Sequence, residues 1–279
     1  MTERLGSMIC PQCGKLIGVG EERCPFCGAW RPGMWGLTPL LQRALGRGLS
    51  VTGLIIQTCI ALYVIGLLLD IGAVLHPEGG VLSLLSPSSR ALFQTGMTGG
   101  PAWRAGLYWT LLTAIFLHGG LLHIFFNLLW VRQLMPQIEE FYGSARAFII
   151  FTVSGAAGFL MSNLIVNTST IGASGSIFGL VAAAIVYGRR HGGTWGQVVV
   201  RQLWQTAILM FVMGFVISGV NNWAHLGGFV GGFAIAELMA RARPREGRAA
   251  VFVAAGLALA TLGGFIASFV IVTRALMGR

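Results

Sequence analysis

The sequence predicts an all-α polytopic membrane protein of seven spans, with a small cysteine-rich domain ahead of them. Three observations carry this. Hydrophobic residues make up 55% of the 279 positions and charged residues only 10%, with a mean hydropathy of +0.75. No soluble domain of this size hides so much apolar surface. Seven apolar segments, at about 51–71, 118–136, 147–166, 173–188, 202–220, 223–240 and 249–273, each come near the roughly 20 residues that cross a bilayer. Four cysteines fall within the first 30 residues.

Those cysteines form two pairs, Cys10-Pro11-Gln12-Cys13 and Cys24-Pro25-Phe26-Cys27, each followed by a glycine, Gly14 and Gly28. Two such knuckles bring four thiolates into tetrahedral reach of one Zn²⁺, so residues 1–30 are expected to form a zinc ribbon. Two disulfides are the alternative, and they require an oxidising compartment. Residues 31–48, rich in Pro, Gly and Arg, are expected to be a basic linker at the membrane surface. No signal peptide is expected, because about fifty residues with four cysteines precede the first apolar run. Cys59 lies within that run and is expected to be a buried thiol.

The first two apolar segments are separated by a long amphipathic stretch carrying Trp103, Tyr108 and Trp109. It is too long for an ordinary loop, and its aromatic residues predict short helices lying in the membrane interface. Beyond it, charge sets the orientation. The net charge is +10, and Lys15 is the only lysine. In a soluble protein a pI near 10.4 would point to nucleic acid. Here the arginines cluster between apolar segments, as topology signals, and no nucleic-acid partner is expected. Arginine marks the N-terminal region and the connections after segment two (Arg132, Arg146), four (Arg189, Arg190, Arg201) and six (Arg241, Arg243, Arg245, Arg248). The connections after segments three and five carry none, while Arg90, Arg104, Arg274 and Arg279 run weakly against the pattern. The N-terminus is therefore expected in the cytoplasm, which suits reduced thiols, and the C-terminus outside.

Two residues in this frame point to chemistry. Ser174, in Gly172-Ala173-Ser174-Gly175, lies 15 positions before Arg189, and His225, in Ala224-His225-Leu226-Gly227-Gly228, lies 16 before Arg241. At the helical rise both sit about 22–24 Å from the same membrane face. A serine and a histidine at matched depth suggest a nucleophile and its general base. Hydrogen-bond contact between them demands close helix axes, which small residues at four-residue spacing permit. Gly175 and Gly179 flank Ser174; Ala224, Gly228 and Gly232, with Gly227 and Gly231 on the neighbouring row, surround His225. Phe178, one turn along from Ser174, is expected to stack on the His225 ring.

An oxyanion needs donors, and polar side chains inside a membrane segment are functional candidates. His123 and Asn127, four residues apart, share a helical face and with the Ser174 backbone N–H form a candidate oxyanion hole. Interhelical hydrogen bonding is their alternative role. His118 lies about 140° around that helix from His123 and is expected to cap its mouth. His191 and His76 read as loop residues.

Scarcity excludes other mechanisms. Asp70 is the only aspartate, so an aspartyl dyad is impossible, and no His-Glu-x-x-His motif is present for a metalloprotease. Asp70 is expected near an interface, and Glu237 lies twelve residues, about 18 Å, along the helix from His225. A third triad member is therefore not expected, which leaves a Ser–His dyad.

Taken together, His118-x4-His123-x3-Asn127, Gly172-Ala173-Ser174-Gly175 and Ala224-His225-x2-Gly228 resemble, in order and spacing over about residues 50–240, the rhomboid intramembrane serine proteases. The resemblance implies a six-helix core with a water-accessible cavity, cleavage of transmembrane segments of membrane-protein substrates near their outer ends, and no cofactor for catalysis. Glu139 or Glu140 and Gly143 match the family pattern after the second span. One departure stands out: Trp109 holds the family's Trp position, nine residues before His118, but Thr110 follows it instead of Arg. The seventh segment resembles members with one extra C-terminal helix, and the ribbon lies outside the resemblance.

The expected division is a cytoplasmic zinc ribbon at 1–30, a linker at 31–48, a rhomboid-like catalytic core at 49–241 and a seventh helix with tail at 242–279. Expected partners are transmembrane substrates, the lipid bilayer and a cytoplasmic partner of the ribbon; the expected location is a prokaryotic plasma membrane. The alternatives are a non-proteolytic rhomboid-like protein that binds transmembrane helices, which would lose Ser or His, and a transporter, which would thread ionisable groups through the bundle.

Overall fold

In the computed structural model the described residues are 7–10, 13, 15–18, 20–28, 50–75, 85–241, 247–276 and 278. The expected linker at 31–48, His76, Arg243 and Arg245 lie outside them. Strands β1 (Ser7–Ile9) and β2 (Leu16–Gly18) pair antiparallel with Met8 opposite Ile17, and Cys10, Ile17 and Cys24 form a small buried cluster.

Helix α1 (Val51–Leu69) starts where the Ser50 hydroxyl accepts the Gly53 N–H at 3.0 Å. It ends at Asp70, ahead of the short α2 (Ile71–Leu75). The amphipathic stretch folds as α3 (Ser89–Gln94), α4 (Gly100–Arg104), α5 (Thr110–Thr113) and a 3₁₀ turn (Ala114–Phe116), the short helices its composition predicts. Five long helices complete the core and one follows it: α6 (Leu121–Tyr142), α7 (Ser144–Ile165), α8 (Ser174–His191), α9 (Gly193–Val216), α10 (Asn222–Arg241) and α11 (Arg248–Leu276).

All seven expected apolar segments are helical, but two connections differ from expectation. The one after the second span is a single residue, Gly143, at φ 87°, and Arg132 and Arg146 sit inside helices. The one after the fourth is Gly192, where Gly193 starts α9 at φ 49° and Arg201 is likewise helical. Hydropathy marks where lipid ends, whereas a helix runs on through its polar flank until a residue can leave the right-handed region.

Helices α1, α7, α9 and α11 are long and apolar enough on their own to cross a membrane. Helix α6 qualifies together with Thr110–Phe116, to which it is bent by 94°. Helices α6, α8 and α10 fall short alone because glycine and polar residues replace aliphatic ones, and these are the helices that bear the candidate site. The molecule is an all-α integral membrane protein with a two-stranded cysteine-bearing domain.

At the centre, α10 packs against both α7 and α8. A Cβ on Gly228 would stand 2.8 Å from the Gly175 Cα, and one on Gly232 would stand 2.6 Å from the Gly179 carbonyl oxygen. On the neighbouring row, a Cβ on Gly227 would lie 3.0 Å from the Gly158 Cα on α7. The two glycine rows thus serve two different neighbours, and backbone meets backbone on both. Glu139 ties α1 to α6: its carboxylate accepts the Thr52 N–H at 2.9 Å, the Thr52 hydroxyl at 2.5 Å and the Ser144 hydroxyl at 3.1 Å. Of the adjacent pair Glu139 and Glu140, Glu139 is therefore the one that holds the helices together.

Candidate active site and metal centre

Ser174 is the first residue of α8, entered through Gly172 at φ 119°. A first-turn N–H has no carbonyl one turn earlier to bond, so it remains a donor. Across the glycine contact, His225 on α10 brings its Nε2 to 3.0 Å from the Ser174 Oγ. The Phe178 ring stacks on the imidazole at 4.5 Å between centroids and 20° between planes. The other imidazole nitrogen, Nδ1, is buried and meets no hydrogen-bonding group among the described residues. Among the described residues no carboxylate completes a triad: Glu237 instead pairs with Arg190.

His123 approaches from α6. Its Nδ1 accepts the Gly119 N–H at 3.2 Å, which leaves Nε2 as the protonated donor. That Nε2 faces Gly172, where a Cβ would come within 2.7 Å of it. Gly172 therefore does two things at once: it takes a left-handed turn and leaves room for the imidazole. Asn127 is buried, and its Nδ2 donates to the His123 carbonyl at 2.8 Å while Oδ1 has no partner. One N–H of its amide is thus spent on the helix and one remains.

His118 does not cap the helix as expected. No side chain bonds the first turn of α6, which Gly120 enters in extended conformation. His118 is instead buried, its ring edge-on to His123 at 5.1 Å. The helix starts two residues too late for a His118 cap, and the Gly119 N–H is taken by His123. Cys59 is buried, as expected.

Sequence reasoning missed Asn221. It caps α10, its Oδ1 accepting the Ala224 N–H at 3.2 Å, and its Nδ2 reaches the Ser162 hydroxyl at 2.6 Å and the Thr170 hydroxyl at 3.0 Å. The signal was an asparagine just before an apolar helix. It also missed the pairing of Thr98 with Thr170, contacts of long sequence separation that no local pattern announces.

At the other end of the chain the sulfur atoms of Cys10, Cys13, Cys24 and Cys27 all lie within 4.8 Å of one another. Cys10 and Cys27 are 3.8 Å apart, Cys13 and Cys24 3.6 Å. Four sulfurs at 2.3 Å around a tetrahedral ion would stand about 3.8 Å apart, so the cluster fits a metal. Burial raises the Cys24 thiol, but the backbone groups of Cys27 and Phe26 and the Cys27 and Cys13 side chains outweigh it, bringing it to about 7.

Comparison with known proteins gives matches over the membrane portion. Residues 105–242 match the Rhomboid domain family. The chain is 32% identical over 128 residues to "Rhomboid protease GluP" of Bacillus subtilis (strain 168), 46% of this chain and 25% of that one. It is 31% identical over 159 residues to "RHOMBOID-like protein 7" of Arabidopsis thaliana, 56% of this chain and 51% of that one. It is 30% identical over 143 residues to "Putative rhomboid protease YdcA" of Bacillus subtilis (strain 168), 50% of this chain and 72% of that one. The match thus spans a quarter of the first of these relatives and about half of the second.

Proposed function

We propose that this chain, which belongs to the rhomboid family, is an intramembrane serine endopeptidase that cleaves transmembrane segments of membrane-protein substrates with a Ser–His dyad. The observation that carries the reading is the 3.0 Å contact between His225 Nε2 and Ser174 Oγ, with Phe178 stacked on the imidazole. His225 Nε2 takes the hydroxyl proton as Ser174 Oγ bonds to the scissile carbonyl carbon. The oxyanion is held by the Ser174 N–H, His123 Nε2–H and the free Asn127 N–H. As the intermediate collapses, His225 returns the proton to the leaving amine and an acyl-enzyme on Ser174 remains. Water, deprotonated by His225, then attacks the ester; collapse frees the new carboxyl end and restores the serine. The stacked Phe178 holds the ring in plane for both transfers, and Gly175 and Gly228 allow the helices to approach closely enough. No cofactor enters these steps.

On this reading the chain divides into a ribbon at 1–30, a linker at 31–48, a catalytic core at 49–241 and a seventh helix with tail at 242–279. Cys10, Cys13, Cys24 and Cys27 would hold one structural Zn²⁺, which folds the ribbon and supplies nothing to the dyad. The arginine pattern supports a cytoplasmic N-terminus and an outer C-terminus, and so a ribbon free to meet a cytoplasmic partner; a prokaryotic plasma membrane is the location proposed. The retained Ser174 and His225 argue against a purely binding role. Labelling with a serine-directed fluorophosphonate tests the reading: wild type should label and Ser174→Ala should not. Equal labelling of both would remove Ser174 as nucleophile.

A further inference from the structure

The segment preceding Ser174 is partly exposed; of its side chains, the Thr170 hydroxyl is held by Asn221 at 3.0 Å and Ala173 is buried. Val166, Thr168 and Ser169 are exposed. Its backbone is fixed by pairing to the α1–α6 connection. The Thr170 N–H donates to the Thr98 carbonyl at 2.9 Å, Thr98 returns the bond at 3.3 Å, and the Gly172 N–H donates to the Ala114 carbonyl at 2.9 Å. The connection is braced internally by the Thr110 and Thr98 hydroxyls, 3.0 Å apart, and from α7 by Asn163, whose Nδ2 donates to the Thr98 hydroxyl at 3.1 Å.

Its outer side is braced by α11. Trp109, next to Thr110 in the chain, donates its indole N–H to the Ser268 hydroxyl at 3.0 Å, and Ser268 is 1% exposed. Gly264, one turn earlier, lets the indole lie against the helix; a Cβ there would stand 3.2 Å from Trp109 Cδ1. Gln94 Nε2 adds a 3.3 Å bond to the Thr273 hydroxyl. Thr110, standing where the family pattern has Arg, is buried and faces Thr98.

We infer that α11 is a positioning element for the nucleophile: Ser268 holds Trp109, and through the Thr110–Thr98 node and its pairing with Thr170 sets the path of Gly172-Ala173-Ser174. Ser268 lies beyond the stretch that matches the family, residues 105–242, so this bracing comes from outside that stretch. The inference rests on the reading of Ser174 as nucleophile. Its physical basis is that the oxyanion donors include a backbone N–H, whose direction depends on the segment leading into α8.

The test uses the full chain in detergent with Ser268→Ala and Trp109→Phe, singly and together. Losing one hydrogen bond should slow fluorophosphonate labelling of Ser174 and lower kcat by about 3–10-fold, with KM nearly unchanged. The double variant should be no slower than the worse single, because both remove the same bond. In a Ser174→Ala background, amide exchange at Thr170 and Gly172 should quicken while Ile124 in α6 stays protected. Unchanged exchange at Thr170 and Gly172, uniform loosening that includes Ile124, or a KM effect with kcat intact would overturn the inference. Absence of labelling in wild type would instead sink the protease reading, and the exchange measurement would still decide the positioning role. If Ser268→Ala is not recovered folded, Trp109→Phe breaks the same bond from the other side.

Discussion

The α8–α10 interface and the seam where α1 and α11 line common clefts are built in opposite ways. At α8–α10 the backbones touch, with glycine facing glycine at Gly175–Gly228 and Gly179–Gly232. Along the seam, apolar clefts of about 240 and 280 Å³ open between side chains such as Val51, Ile55, Ala258 and Leu262, and Leu62, Ile65, Ile266 and Val270. Lipid tails are as apolar as the side chains, so apolar contact alone does not force helices together in a membrane. Tight packing of α8 on α10 brings Ser174 and His225 to 3.0 Å, and slack is tolerated between α1 and α11, where no such contact has to be held.

The largest effect should come from the dyad inside the tight interface. Ser174→Ala or His225→Ala should each lower cleavage of a transmembrane reporter by roughly 10⁴–10⁶-fold with expression intact, and the double variant should be little worse. Substantial turnover in either would break the link between tightness and chemistry. Next in size is a direct contrast of the two interfaces. Gly228→Leu should abolish activity by driving α8 and α10 apart, although no catalytic side chain changes. Ala258→Leu, which fills a cleft in the seam, should leave activity within about twofold, since the added methylenes find space. Equal effects of the two substitutions on reporter cleavage would erase the distinction.

Asn127→Ala should reduce kcat by roughly 10–10³-fold, less than loss of Ser174, because other donors remain. The spare N–H of a buried amide motivates this expectation, and a change confined to KM would assign Asn127 to substrate packing instead. The smallest effect on proteolysis should come from the ribbon. Metal analysis should find one Zn²⁺ per chain, lost when any two of Cys10, Cys13, Cys24 and Cys27 are replaced. A chain beginning near residue 40 should still cleave a generic substrate, and a folded but inactive truncation would join ribbon and core functionally.

Much of the site is visible in the sequence because its residues are anomalous where they stand. A histidine, a serine and paired glycines cost a membrane segment its hydropathy, and so they are conspicuous within apolar runs. The same logic failed at His118, which is polar and within an apolar segment, yet does not cap α6. Its role depended on where the helix starts, which Gly120 decides. Helix ends at Gly143 and Gly192 were likewise misplaced, since hydropathy reports the lipid boundary and not the backbone turn.

By itself the sequence determined the all-α membrane class, the succession of seven helices, the cysteine pairs and the serine–histidine pairing by depth. Each of these follows from composition or from a periodicity along the chain. Only the tertiary structure decided that Gly227 and Gly228 serve different helices, that Glu139 and not Glu140 ties α1 to α6, and that α11 reaches Trp109 through Ser268. These depend on which side chains meet across long stretches of chain, and hydrogen bonds between distant residues leave no repeating pattern in the sequence.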